Sequence, residues 1–168
     1  MNNLKQAAKT MNFLTEHGIS NYGELESKLT AVSVRRDTTH TEIKRIESRS
    51  AELTLVMKHA GTYRQLKPLY DRYRKSNDKE KFLRGHESEI ILFEAAAREL
   101  KRLGTVPLPT TESMKTELAN LNAEKERLLA EYKAARAEAQ EYDTVKQNVD
   151  ALLAVPKEQE QQRRHELE

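Results

Sequence analysis

Cysteine is missing from this chain of 168 residues. Its absence excludes a disulfide framework, a thiolate zinc site and a cysteine nucleophile. Only 37% of the residues are hydrophobic and 5% aromatic, which is too little apolar side chain for a thick core. No stretch reaches the roughly 18 apolar residues of a membrane span, and Lys5 and Lys9 interrupt the opening segment, where a signal peptide would be apolar. We therefore expect a cytoplasmic protein without membrane insertion.

Catalytic and metal-binding patterns are missing as well. The five histidines are widely separated, and none has a second histidine or a carboxylate at a spacing specific for a metal site. The five glycines are scattered, with no cluster that would cradle a phosphate. Serine and threonine are plentiful, but no histidine base is positioned to activate one of them. We expect no metal, no cofactor and no enzyme activity in this chain.

The sequence does contain a pair of apolar tracks that step alternately by three and four residues. The first track consists of Tyr22, Leu25, Leu29, Val32, Arg36, Thr39, Ile43, Ile46, Ser50, Leu53, Met57 and Ala60. The second consists of Met114, Leu118, Leu121, Lys125, Leu128, Tyr132, Ala135, Ala139, Tyr142, Lys146, Val149 and Leu153. An average step of 3.5 residues keeps a seam facing one partner helix over many turns. The tracks predict two long helices in a left-handed coiled coil.

These seams have two uses that stay open at this point. The two helices can fold back on each other within one chain, or the same seam can join two chains in a parallel dimer. Sequential elements usually pack as neighbours, which favours the antiparallel hairpin. In the hairpin, Ala60 should lie near Met114. That register would place Ser50 level with Lys125.

Glycine and proline indicate where the helices should end. Gly18 and Gly104 each follow an amphipathic segment, where a helix often ends with one left-handed residue. Gly61 and Pro68 should disturb the long outgoing helix, because proline lacks a backbone donor and crowds the preceding turn. Gly85 should separate a loose helical turn from the helix that follows it.

Polar caps complete an all-α prediction: Ser20 or Asn21 for the second helix, and Thr110 or Thr111 for the last. The predicted fold is a long antiparallel coiled-coil hairpin, with a short N-terminal helix at its base and a small helical head at its tip. The predicted parts are a base helix at 3–17, a long helix at 21–61, a helical head at 62–104 and a long return helix at 111–155. They form one elongated domain over 1–156, followed by a disordered tail at 157–168 that ends in a vector remnant.

Positive charge is concentrated in one segment, although the formal net charge is only +2. Between residues 62 and 84 the acidic residues are only Asp71, Asp78 and Glu80. The basic residues of this segment, which we take as candidate nucleic-acid contacts, are Arg64, Lys67, Arg72, Arg74, Lys75, Lys79, Lys81 and Arg84.

Aromatic residues alternate with these basic ones, and they are Tyr63, Tyr70, Tyr73 and Phe82. Because cations neutralise phosphates while aromatic rings stack on bases, the segment is a candidate site for single-stranded nucleic acid. The tyrosines also recur at helical spacing, which favours a small core inside the head over a stacking platform. A basic run on a helix is moreover commonly a solvated face.

Three segments of the chain carry a resemblance to a known family. They are NNLKQAAKTMNFLTEHGISNYGELESKL at 2–29, YRQLKPLYDRYRKSNDKEKFLRGHESEIILFEAAARELKRLG at 63–104 and LPTTESMKTELANLNAEKERLLAEYKAARAE at 108–138. In the order and spacing of the segments, and in their residues, they resemble the C-terminal region of relaxases. These are the mobilisation nucleases of Gram-positive conjugative transposons and integrative conjugative elements. The resemblance extends from about residue 2 to residue 156.

In relaxases a separate N-terminal domain holds a histidine-bound metal and the tyrosine that nicks the transfer origin by transesterification. The resemblance maps no histidine cluster here and assigns the nucleophile to none of the six tyrosines. It therefore implies that the catalytic tyrosine and the metal ligands lie outside this chain, and that Met1 is an added start.

What the resemblance implies about function is a non-catalytic accessory region. Such a region would position the nuclease in the relaxosome through relaxosome or coupling proteins, and its basic head would contact origin-of-transfer DNA. The alternative is a stand-alone coiled-coil structural or dimerisation module with no nucleic-acid role. The sequence leaves open whether the chain is a monomer or a dimer.

Overall fold

The computed structural model describes the backbone of residues 2–105 and 107–165 and the side chains of residues 4–105 and 107–154. Within these ranges the chain is helical and has no strand. The helices are α1 (Asn2–Glu16), α2 (Tyr22–Lys75), α3 (Lys79–Arg102) and α4 (Thr111–His165). The all-α fold class that we predicted from the sequence is confirmed.

Two helices end on a glycine in the left-handed conformation. Gly18 has a φ of 61° and Gly104 a φ of 68°. Beyond Gly104, the backbone N–H of Thr105 donates to the carbonyl of Leu100 at 3.1 Å and so satisfies a carbonyl of the last turn. Glycine takes this conformation without the steric cost of a Cβ atom, which is why both helix ends could be predicted from the sequence.

Polar side chains cap the two long helices. Asn21 begins α2, where its Oδ1 atom accepts from the backbone N–H of Glu24 at 3.0 Å. Thr110 caps α4, because its hydroxyl accepts from the backbone N–H of Ser113 at 3.1 Å. Of the two alternatives predicted for each cap, these bonds select Asn21 and Thr110.

The predicted end of the outgoing helix near residue 61 is wrong. α2 runs on and contains Pro68 in its interior. Residues on both sides of this proline are held against α3, since Tyr63 and Tyr70 both stack on Phe93, with ring centroids 4.8 and 4.2 Å apart. This packing outweighs the cost of an interior proline, about 3 kcal/mol. The long helix and the first part of the predicted head are therefore one helix.

The last helix also extends beyond its predicted end. α4 continues to His165, so its backbone is helical where we expected a disordered tail. Residues 157–165 are almost all Lys, Glu, Gln and Arg, which are good helix formers. Extending an existing helix adds one hydrogen bond per residue and needs no apolar period. The expected vector remnant at residues 167–168 lies outside the described residues.

α3 consists of two helical segments. His86 interrupts it with φ −141° and ψ 25°, values outside the helical region. The sequence placed this interruption at Gly85, one residue earlier. The ring of His86 lies 4.8 Å from the ring of Phe82 in the preceding turn, so the two segments keep a side-chain contact across the interruption.

The chain divides into two compact units, which we call unit 1 (Met1–Ile43 with Arg127–Glu168) and unit 2 (Lys44–Glu126). In unit 1, α1 and the first part of α2 pack against the second part of α4. Phe13 of α1 meets Tyr142 of α4 edge to face, with centroids 5.1 Å apart. One buried hydrophobic cluster of the unit contains Leu25, Val32, Ala139, Tyr142 and Val145.

In unit 2 the second part of α2 packs against α3 and the first part of α4. Ala60 and Met114, which we expected to be neighbours, belong to one buried cluster. The other buried members of this cluster are Leu53, Val56 and Leu100. Every seam position on α2 is buried or half-buried, and the same holds on α4 except for Leu153.

Candidate nucleic-acid interface

A short turn after α2 brings two groups of basic residues together. The hydroxyl of Ser76 donates to the carbonyl of Asp78 at 3.1 Å and accepts from the backbone N–H of the same residue at 3.2 Å. The carboxylate of Asp78 then accepts from the backbone N–H of Lys81 at 3.0 Å and caps α3. The last turn of α2 and the first turn of α3 are thus joined by a three-residue turn in which Ser76 and Asp78 are hydrogen-bonded to each other.

The predicted basic residues are all on the surface. Each of the eight side chains is exposed. Five of them make no side-chain hydrogen bond and no ion pair within the part of the chain that the structure describes, and we call these five the basic turn. They are Arg72, Arg74, Lys75, Lys79 and Lys81.

The other three predicted residues have intramolecular partners. The guanidinium of Arg64 donates to the hydroxyl of Thr111 at 2.7 Å and also to the carbonyl of Pro109. Arg64 therefore holds the start of α4 against α2. Because its partners are a loop carbonyl and the first residue of α4, more than forty residues away in the chain, a sequence pattern gives no sign of this role.

Lys67 and Arg84 pair with carboxylates one helical turn away. Lys67 Nζ lies 2.9 Å from Asp71 Oδ2, and this hydrogen bond raises the pKa of the lysine. Arg84 Nη2 lies 3.8 Å from Glu80 Oε2, with both side chains highly exposed. Exposed pairs of this kind contribute little to stability, but they do neutralise two of the candidate cations.

The aromatic residues of this region pack against one another. Phe93 of α3 stacks on both Tyr63 and Tyr70, with 23° between the ring planes in each pair. Tyr73 lies 5.9 Å from Tyr70 and 6.1 Å from Phe82, measured between centroids. We call these five residues the aromatic row. The rings are buried or half-buried, as expected for a small core.

The phenol of Tyr70 is part of this packed row. Its hydroxyl donates to Glu94 Oε1 at 3.3 Å. Burial raises the pKa of the Tyr70 phenol, and the neighbouring charge of Glu94 raises it further. The group stays protonated at neutral pH and acts as a hydrogen-bond donor, with the structural role of fixing the ring.

Sequence reasoning missed Phe93 as the centre of the aromatic row. The aromatic residues predicted for this region were Tyr63, Tyr70, Tyr73 and Phe82, without Phe93. The spacing of seven residues between Tyr63 and Tyr70 was the signal, because it places both rings on one face of α2, two turns apart. A single large ring from another helix fits between two such positions.

Among the described residues, no group of three or more His, Cys, Asp or Glu side chains is placed to hold a metal ion. Nor is any of the described helices both long enough and apolar enough to cross a membrane. Unit 1 has an open groove of about 560 Å³ between α1 and α4, lined by residues that include Lys9, Phe13, Glu141 and Val145.

Comparison with protein-family models, with curated proteins and with solved structures gave no match for this chain.

Proposed function

We propose that this chain is a non-catalytic accessory module of a conjugative relaxase. In this role it positions the nuclease in the relaxosome through protein interaction and contacts origin-of-transfer DNA through its basic turn. The proposal starts from the sequence resemblance, and the observation that best supports it is the basic turn. Five exposed cations, which have no hydrogen-bonded or ion-paired partner among the described residues, lie on the two sides of one short loop. We place the module in the cytoplasm, where transfer DNA is processed.

The protein-interaction part is supported by exposed apolar residues on α3. Ile91 and Leu92 are adjacent in the sequence and are 56% and 55% exposed. They lie off the face that packs inward through Ile90 and Phe93. Glu87 and Glu94 flank the pair along the helix. This composition suits an amphipathic helix with basic residues at its edges, supplied by a relaxosome or coupling protein.

We further propose that α2 and α4 form the antiparallel coiled-coil hairpin expected from the seams, within one elongated domain. In unit 2, Glu47 pairs with Lys125 at 2.9 Å and Arg49 with Glu117 at 2.7 Å. As the residue number rises on α2, it falls on α4. In unit 1, Arg35 bonds Glu138 and the hydroxyl of Tyr22 donates to Asp150 at 2.6 Å, which follows the same order.

The hairpin can be tested with spin labels, because the chain has no cysteine of its own. One pair of labels at Glu47→Cys and Lys125→Cys should give a short distance within unit 2. A second pair at Arg35→Cys and Glu138→Cys should do so within unit 1. Mixing labelled with excess unlabelled protein should leave both distances unchanged. Distances that vanish on dilution would instead assign the seams to contacts between chains.

The accessory role itself is tested by two binding measurements on the same protein. A gel-shift titration with origin-of-transfer DNA measures the DNA contact, and a pulldown of purified relaxosome and coupling proteins measures the protein contact. Arg72→Ala/Arg74→Ala/Lys75→Ala should weaken DNA binding and leave the pulldown intact. Ile91→Ser/Leu92→Ser should weaken the pulldown and leave DNA binding intact. A chain that binds neither DNA nor any transfer protein is not a relaxosome module.

The second candidate function is a stand-alone coiled-coil structural or dimerisation module. The exposed apolar residues Leu4 and Met11 on α1, 82% and 59% exposed, favour it. Sedimentation over a hundredfold concentration range decides between the two functions. A stable dimer that Leu4→Ser/Met11→Ser dissociates, together with no DNA binding, supports the dimerisation module.

A further inference from the structure

The rings of the aromatic row pack against one another, which leaves the basic turn little ring surface on which bases could stack. Phe93 is only 6% exposed and lies against Tyr63 and Tyr70. The two rings nearest the turn, Tyr73 and Phe82, are half-buried and contact each other. Much of each ring is therefore covered by protein, so a base finds little free ring surface for stacking.

Base stacking contributes much of the affinity of proteins for single-stranded nucleic acid. Stacking on an aromatic side chain contributes about 1–3 kcal/mol per base when a protein binds single-stranded nucleic acid. Without stacking, affinity comes from cations that neutralise phosphates and release counterions. A duplex concentrates that charge, with one phosphate per roughly 1.7 Å of helix axis. Cations alone therefore favour a duplex over a single strand.

The cations of the basic turn are suited to this contact. Asp78, the acidic residue within the loop, has its carboxylate bonded to the backbone N–H of Lys81 as the cap of α3. Glu80 pairs with Arg84 at 3.8 Å and offsets the charge of that arginine. The five side chains of the basic turn thus keep their charge available to an external anion, and they are carried on two helix ends that the bonded turn holds together.

We propose that the basic turn binds the phosphate backbone of double-stranded nucleic acid without stacking on its bases and without reading their sequence. This inference rests on the nucleic-acid contact in the proposed function and names its ligand class. It replaces the single-stranded ligand that the interleaved aromatic residues suggested. Because phosphate geometry is the shared chemistry, DNA and RNA duplexes are both candidate sources of the ligand.

The test is fluorescence anisotropy of the full chain with a labelled 30-base-pair DNA duplex, the corresponding RNA duplex and one DNA strand alone. The DNA duplex should bind at least about tenfold more tightly than the single strand. Two unrelated duplex sequences should bind within about twofold of each other. With five cations engaged, the plot of log K against log salt should have a slope no steeper than about −4.5. The RNA arm decides whether the backbone of one duplex form is preferred.

Two sets of variants identify the surface. Arg72→Ala/Arg74→Ala/Lys75→Ala should reduce duplex affinity at least about thirtyfold and make the salt slope shallower by about three units. The matched control removes three exposed lysines elsewhere in unit 2, as Lys58→Ala/Lys101→Ala/Lys115→Ala. It changes the net charge equally and should reduce affinity less than about threefold. Phe82→Leu tests stacking, and it should leave duplex affinity within about twofold.

Each other outcome overturns the inference in a distinguishable way. Tighter binding of the single strand, lost in Phe82→Leu, would show base stacking and refute the duplex inference, while the nucleic-acid contact of the proposed function would survive. Equal losses in the basic-turn and control variants would show diffuse attraction without a site. Polyglutamate that binds as tightly as the duplex would assign the surface to acidic proteins. No binding to any of these ligands would refute both the inference and the proposed DNA contact.

Discussion

Arg64 of α2 donates a hydrogen bond to the hydroxyl of Thr111, the first residue of α4, with 2.7 Å between Nη1 and Oγ1. The same guanidinium donates to the carbonyl of Pro109 in the preceding loop. One side chain thus joins a loop, a helix start and the neighbouring helix. Although its sequence context suggested a phosphate contact, these bonds give Arg64 a structural role.

Replacing Arg64 should therefore affect stability more than binding. We expect Arg64→Ala to lower the free energy of unfolding by about 1 kcal/mol, because its hydrogen bonds are charged but exposed to water. Duplex affinity should change less than about twofold. Urea denaturation followed by circular dichroism measures the first effect and anisotropy the second. Arg74→Ala is the matched control. It should leave the free energy of unfolding nearly unchanged and lower duplex affinity. Unchanged stability with a large loss of affinity would place Arg64 in the binding surface.

A buried seam residue should be much more sensitive than an exposed leucine of the same unit. Leu25 is 1% exposed, whereas Leu129 is 42% exposed. Leu25→Ala should lower the free energy of unfolding by about 2–5 kcal/mol, since it removes apolar contacts and leaves a cavity. Leu129→Ala should lower it by less than about 1 kcal/mol. Chemical denaturation of both variants checks this difference. Equal losses would mean that the first seam is not the core of unit 1.

Two glycines should respond in opposite directions to the same substitution. Gly104 has a φ of 68°, and although the space around it is open, a Cβ atom is strained in that conformation. Gly104→Ala should therefore destabilise the protein by about 1 kcal/mol. Gly61 lies inside α2 with nothing within 4 Å of an added Cβ atom. Gly61→Ala should stabilise by about 0.5–1 kcal/mol, because alanine favours the helix.

Thermal and urea denaturation of the two glycine variants measure both signs. If Gly61→Ala destabilised the protein, α2 would not be continuous at this position in solution. If Gly104→Ala were neutral, the left-handed end of α3 would not be formed.

The ion pair at Glu47 should make stability depend on acid pH. Lys125 and then Lys44 lower the pKa of the Glu47 carboxyl below its usual value of 4.5. Because the folded chain holds this carboxylate ionised more strongly than the unfolded chain, its stabilising contribution is complete above about pH 4.5. That contribution is lost as the pH falls through the lowered folded pKa. Glu47→Gln should therefore destabilise the protein at pH 7 and differ less from the parent at about pH 3.

Urea titrations at the two pH values check the Glu47 prediction. Glu124→Gln is the matched control, because Glu124 is an exposed glutamate of the same unit. It should change stability less at pH 7 than Glu47→Gln. A Glu47→Gln variant with the same deficit at both pH values would show that the carboxylate charge is not what stabilises this position. Raising the salt concentration at pH 7 should also reduce the deficit, as expected for a partly exposed pair.

Much of the helical structure could be predicted from the sequence because its causes are local. Gly18 and Gly104 end helices through their own backbone freedom, and Asn21 and Thr110 cap helices through bonds to residues three positions away. The heptad spacing likewise predicted burial of the seam positions, since it depends only on where a straight helix places its side chains.

The errors in the fold prediction occurred where packing or helix propagation outweighed a local signal. By its own chemistry, Pro68 should interrupt α2. The helix continues because Tyr63 and Tyr70, on either side of the proline, stack on Phe93 of α3. At the other end of the chain, α4 continues to His165 because propagation needs no apolar face.

The candidate site also combines features that the sequence determines with features that helix packing determines. The sequence by itself determined that the cations cluster and that the helices carry apolar seams, since both follow from residue order and helical period. Only the tertiary structure decided that Arg64 is bonded within the chain, and which helix covers the tyrosines. The reason is physical. Arg64 donates a hydrogen bond to Thr111, and Tyr63 and Tyr70 stack on Phe93. These partners are more than twenty residues away in the chain and become neighbours only when the helices pack.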